Sequence, residues 1–197
     1  MDLKDTLNEA LKSKFRRFPS IQSKKDCSYF PKDRQELKDI IKERVKEDPK
    51  CDLNDIWVGD ITDMTELFEY SSFNGDISRW DVSSVENMNY MFYKSKFDGG
   101  ISGWDVGSVK ETTCMFKYSD FNGDISKWDV SSVEMFNSTF SKSIFDGDIS
   151  SWNVSNARAM NYMFYKSIFD GDISSWNVSN VRDMYAMFKN SDFNGDI

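Results

Sequence analysis

The sequence predicts an α/β solenoid, a right-handed coil of short parallel strands and short helices closed at one end by an N-terminal α-helical cap. Three observations carry that prediction. Phe73, Phe97, Phe121, Phe145, Phe169 and Phe193 recur every 24 residues. Trp80, Trp104, Trp128, Trp152 and Trp176 hold one fixed place in that period, and Gly75, Gly99, Gly123, Gly147, Gly171 and Gly195 hold another. Within each period the apolar spacing changes from alternate residues to every third or fourth. Units of roughly 20–50 residues repeated in this way cannot each bury an apolar face alone, so they stack.

The elements follow in order. Residues 1–30 read as a short helix and a linker. Leu3, Leu7, Ala10 and Leu11 share one face of a helix over residues 3–17, which runs into Lys12, Lys14, Arg16, Arg17 and then Pro19. The basic end is a solvated helix terminus whose cations suit the dipole, with a docking peptide as the sharper alternative. Residues 19–30 show no period and read as linker. Residues 31–48 read as a capping helix: Pro31 opens it, and Leu37, Ile40, Ile41 and Val45 follow at helical spacing before Pro49. A first copy exposes its apolar layer unless something covers it. The repeat array occupies residues 49–197. Subtracting 24 aligns Leu53 with Ile77, Ile56 with Trp80, Met64 with Met88 and Phe68 with Phe92, so residues 49–72 are a degenerate first copy.

Within one copy, Trp80 and Val82 flank Asp81 in the alternation of a strand. Val85, Met88, Met91 and Phe92 then follow at helical spacing, and Ser83 with Glu86, like Ser131 with Glu134, fits a capping box. Asn74-Gly75 and Asp98-Gly99 read as turn pairs whose glycine takes positive φ. The expected copy is therefore turn, short strand, short helix.

The apolar frame Ile77-x-x-Trp80-x-Val82-x-x-Val85-x-x-Met88-x-x-Met91-Phe92-x-x-Ser95-x-Phe97 resembles the BspA-like (Treponema-type) leucine-rich repeat. It is most similar to the variant with Trp-Asp-Val and a Met-Phe pair, whose members are often described as bacterial surface proteins of unknown function. The resemblance covers residues 49–197 and implies a leucine-rich-repeat-like coil used for adhesion or protein interaction, often after export.

Charge narrows the partners. Residues 1–48 carry a net charge of +3 and the remainder −11, for −8 overall. An acidic body disfavours nucleic-acid phosphate as a ligand. No apolar run approaches the length of a membrane span, and the first residues are too polar for a signal peptide, so a cytoplasmic location is expected. Cys27, Cys51 and Cys114, odd in number and far apart, fit a reducing interior.

The candidate binding residues are the column Asp81, Asp105, Asp129, Asn153 and Asn177, which alternation sets on the outer sheet face. They are read as local turn acceptors first, then as a surface for a basic partner, then as a cation site. Asp76, Asp124, Asp148, Asp172 and Asp196 form a second acidic column, read as solvated turn chemistry. The tryptophan column reads as core. Copies with Thr112, Phe136 and Thr139 in methionine places, and the changing column Tyr90, Cys114, Ser138, Tyr162 and Ala186, mark either a partner surface or drift. With no histidine, nucleophile elbow, phosphate loop or zinc spacing, the chain is expected to be no enzyme and to hold no cofactor or metal. The expected function is binding another protein through the sheet face. The alternative is assembly, as a homo-oligomer or larger complex, through an open C-terminal end.

Overall fold

The computed structural model of the chain describes residues 21–195. The helix expected over residues 3–17 and its basic end lie outside them, as does Asp196.

The capping helix forms as α1, Arg34–Glu47. Asp33 is its N-cap, accepting the Glu36 N–H at 2.9 Å, so Pro31 lies ahead of the helix and not in its first turn. Leu37, Ile41 and Val45 are buried. Residues 21–30 are no free linker. The buried Gln22 amide donates to the carbonyls of Asn54 and Ile56, and Tyr29 makes a parallel bridge to Ile56. An aperiodic stretch carries no trace of such pairing in its sequence, because its bonds run through the backbone of another segment.

Beyond α1 the copies lie one on the next. Parallel bridges join Asp63 to Asn87, Asn87 to Glu111, Glu111 to Met135, Met135 to Ala159 and Ala159 to Asp183, and a further one joins Asp52 to Asp76 in the first two copies. The bridges follow the expected 24-residue register, but not at the expected strand, since residues 80–82 make none. The expected helix over residues 85–92 is also absent. Among the described residues α1 is the only α-helix. The N–H groups of Met88, Tyr90, Phe92 and Lys94 do not turn back to their own copy. They cross to the carbonyls of Glu111, Thr113, Met115 and Lys117 in the next copy, at 2.9, 2.9, 2.9 and 3.0 Å. Between them, Met91 and Ser95 close four-residue turns onto Met88 and Phe92. The third residues of those turns, Tyr90 and Lys94, have φ of 57° and 53°, the type II pattern. Consecutive four-residue turns return a side chain inward every third or fourth position, which is the spacing that reads as a helix. Ser83 accordingly caps no helix: its N–H and hydroxyl go to Asp81.

The same two places carry positive φ in every copy, at Glu66 and Tyr70, Cys114 and Tyr118, Ser138 and Lys142, Tyr162 and Lys166, and Ala186 and Asn190. None of these is glycine, and no described glycine has positive φ. A left-handed conformation costs an ordinary residue about 1–2 kcal/mol. It persists here because bonds between copies fix the backbone on both sides. The repeated glycines serve close approach instead. A Cβ at residue 75 would lie 2.0 Å from the Cys51 carbonyl oxygen, and one at residue 123 would lie 2.8 Å from the Phe121 ring.

The core is a set of ring columns. Phe97, Phe121, Phe145 and Phe169 stack with centroids 6.2–6.3 Å apart. Phe92, Phe116, Phe140 and Phe164 form a second column at 5.5–5.7 Å. Trp80, Trp104, Trp128, Trp152 and Trp176 are buried, as expected for core. α1 closes the first copy. Each later copy's carbonyls receive N–H groups from the copy before, as Glu66 gives its N–H to Asn89. The first copy has no predecessor, and the Arg34 guanidinium supplies a donor to the Thr65 carbonyl at 3.0 Å.

Candidate functional site

The expected binding column is committed to local turns. Asp81, Asp105, Asp129, Asn153 and Asn177 each accept, through Oδ1, the N–H of the residue two further on, at 3.0–3.2 Å. This is the turn role read from the sequence. The second acidic column does the same: Asp76, Asp124, Asp148 and Asp172 accept from Ser78, Ser126, Ser150 and Ser174. The Ser126 and Ser131 hydroxyls hold the Asp124 and Asp129 carboxyls below the usual carboxylate range, and the Ser150 and Ser174 N–H groups do so for Asp148 and Asp172. Among the described residues no three His, Cys, Asp or Glu side chains are placed to hold a metal ion.

The irregular copies have an internal explanation. The Thr112 and Thr139 hydroxyls meet at 3.1 Å in the core, and Thr139 also donates to the carbonyls of Thr112 and Phe136. Two methionine places in successive copies have changed to a buried hydrogen-bonded pair, while the bulkier Phe136 fills a third methionine place.

Outward-facing chemistry gathers on the bridged face, the eight residues that follow the bridge and run from 89 to 96 in the second copy. Every exposed large apolar or aromatic residue of the repeats falls in that window: Tyr70, Tyr90, Tyr118, Ile144, Tyr162, Ile168 and Tyr185. Lysines fall there too. Lys94 Nζ lies 5.1, 5.4 and 5.3 Å from the ring centres of Tyr70, Tyr93 and Tyr118. Lys142 lies 4.6 Å from Tyr118 and donates to its hydroxyl, and Lys166 lies 5.5 Å from Tyr165. Such contacts are worth about 0.5–1 kcal/mol each at exposed sites. The Lys142 hydrogen bond pulls the Tyr118 hydroxyl below the usual tyrosine range.

Lys94, Lys117, Lys142, Lys166 and Lys189 have no carboxylate within ion-pair distance among the described residues. The ion pairs engage Lys24, Arg34, Lys38, Arg44, Lys110 and Arg158, and, within the segment, Lys96 at its last place. An acidic chain thus leaves five lysines of one segment unpaired, interleaved with tyrosines. The sequence did single out the column of Tyr90, Cys114, Ser138, Tyr162 and Ala186. It did not single out the neighbouring lysine columns, because no single place in the period is lysine throughout. Sorting the lysines by place and asking which lack an acid nearby would have found them.

These features define a repeat protein whose copies are stacked turns. The chain belongs to the family described as Mycoplasma protein of unknown function, DUF285, whose model matches residues 37–143 and again residues 97–197. No curated protein and no solved structure matches the chain. No helix of the described residues is long and apolar enough to cross a membrane.

Proposed function

We propose that the chain is a non-catalytic protein-interaction module of solenoid type, akin to the BspA-like leucine-rich repeats it resembles, and that it binds its partner through the bridged face. One observation carries this reading: the exposed aromatic residues of the repeats fall in one segment of the period together with five lysines that make no ion pair among the described residues. Exposed apolar patches with polar neighbours mark interaction sites, and tyrosine is among the residues enriched in them. The binding surface is thereby moved from the Asp81 column, whose Oδ1 atoms are spent on turns, to the tyrosines and lysines.

Two triple variants test the choice in pulldowns from source cells quantified by mass spectrometry. Lys94→Ala/Lys142→Ala/Lys166→Ala is expected to lose the partner, and Asp81→Asn/Asp105→Asn/Asp129→Asn to keep it. The reverse pattern would return the site to the acidic column.

A further inference from the structure

The bridged face is not uniform, and its interruption points to the chemistry of the partner. The inference rests on the reading that this face contacts a protein. Tyrosine pairs stand at Tyr90 and Tyr93, and again at Tyr162 and Tyr165, their rings edge to face. Between them the same places hold Cys114 and Lys117, then Ser138 and Ser141. The small side chains leave a pocket of about 200 Å³ lined by Lys117, Ser138, Ser141, Lys142, Tyr162 and Tyr165.

Ser138 and Ser141 are buried, so they form the floor. The two lysines come from adjacent copies. Lys142 donates to the Tyr118 hydroxyl and lies 4.6 Å from the centre of its ring. At about 30 Å³ per water, the pocket has room for one side chain and not for a folded element. Lys117 and Lys142 line the pocket, and an ammonium group that meets an anion there forms a charge-assisted hydrogen bond, which is shorter and roughly twice as strong as a neutral one.

We propose that this pocket seats an anionic side chain, bearing a carboxylate or a phosphoryl group, carried by an extended segment of the partner protein. A short acidic segment is favoured over a long polyanion. With a Debye length of about 8 Å at physiological ionic strength, such a segment feels the lysines while the acidic columns of the other turns are screened. A long polyanion would also meet those columns, in a chain whose net charge is −8.

The test is fluorescence anisotropy on the full chain with labelled peptides of four Ala-Glu pairs, four Ala-phosphoserine pairs, and their Ala-Gln and Ala-Ser counterparts. At least one anionic peptide is expected to bind at least tenfold more tightly than its neutral counterpart. That preference is expected to disappear in Lys117→Ala/Lys142→Ala and in the gentler Lys142→Gln, and to persist in Lys38→Ala, whose lysine pairs with Glu66 away from the pocket. Preference for one anionic peptide over the other identifies the group. Equal binding of charged and neutral peptides, an unchanged preference in the double variant, no binding of either anionic peptide at millimolar concentration, or tighter binding of dextran sulfate than of both would each overturn the proposal. Tyr162→Ala separates the two levels. Charge-blind binding lost in that variant leaves the face as the contact and removes only the anionic seat. Binding that survives it removes the face as well.

Discussion

The indole Nε1 of Trp104 donates to the carbonyl oxygen of Ile77, 27 residues earlier, at 3.1 Å. The bond recurs from Trp80 to Leu53, Trp128 to Ile101, Trp152 to Ile125 and Trp176 to Ile149. Each of these tryptophans therefore ties its own copy to the one before, at a corner away from the bridges that run from Asp63 to Asp183. Trp128→Phe keeps an aromatic ring in the column but removes the donor from a buried carbonyl. Urea unfolding should show a loss of about 1–3 kcal/mol, at the lower end because the Trp128 N–H still reaches the Ile125 carbonyl of its own copy and the Ile101 carbonyl keeps the Trp104 N–H.

The glycines make a three-way prediction. At Gly123 an added methyl would meet the Phe121 ring at 2.8 Å, so Gly123→Ala should destabilise by about 1–3 kcal/mol as the ring is pushed from its column. At Gly75 the obstacle is the Cys51 backbone carbonyl at 2.0 Å, which cannot move as a side chain can, and the loss should be larger. At Gly100 nothing lies within 4 Å, and Gly100→Ala should fall within about 0.5 kcal/mol of the parent. Thermal midpoints of the three variants check the order.

Glycine should be welcome where the chain has none. Ser138 has φ of 57°, a conformation that glycine adopts without the Cβ clash. Ser138→Gly is expected to raise stability by up to about 1 kcal/mol, since the relieved strain exceeds the added freedom of the unfolded chain. A loss above that size in chemical denaturation would contradict the turn geometry.

The turn carboxylates set the acid limb of stability. Asp124, Asp129, Asp148 and Asp172 are held below their ordinary value of 3.8. A carboxyl with a lowered folded pKa contributes stability that is complete above its unfolded value and is lost as pH falls through the folded one. Urea midpoints should therefore be flat above about pH 5 and decline from about pH 4 downward. Asn153 and Asn177 accept the same N–H at the same corner, so Asp124→Asn/Asp129→Asn should keep the turns at neutral pH and flatten the acid decline.

The legible part of this chain was what recurs. The Phe73 and Trp80 columns placed the core, the 24-residue register placed the bridges, and Leu37, Ile41 and Val45 placed α1. The backbone between them was not legible, because Val85, Met88 and Met91 have the spacing of a helix and of consecutive four-residue turns alike. The left-handed residues carried no signal either. Tyr90, Lys94, Ser138 and Lys142 are held at positive φ by bonds to neighbouring copies, and no glycine marks them. Asp81 and its column stood out because they recur, and each accepts, through Oδ1, the N–H of the turn that every copy makes. The tyrosines and lysines vary from copy to copy because the stacking does not require them, and that variation is why the sequence pattern passes over them.

Site-specific photo-crosslinking in source cells tests the central claim most directly. A benzophenone amino acid at Tyr162, on the bridged face, should yield a discrete partner adduct, and the same group at Asp129, on the acidic column, should yield none. An adduct from Asp129 with none from Tyr162 would contradict the assignment of binding to the bridged face.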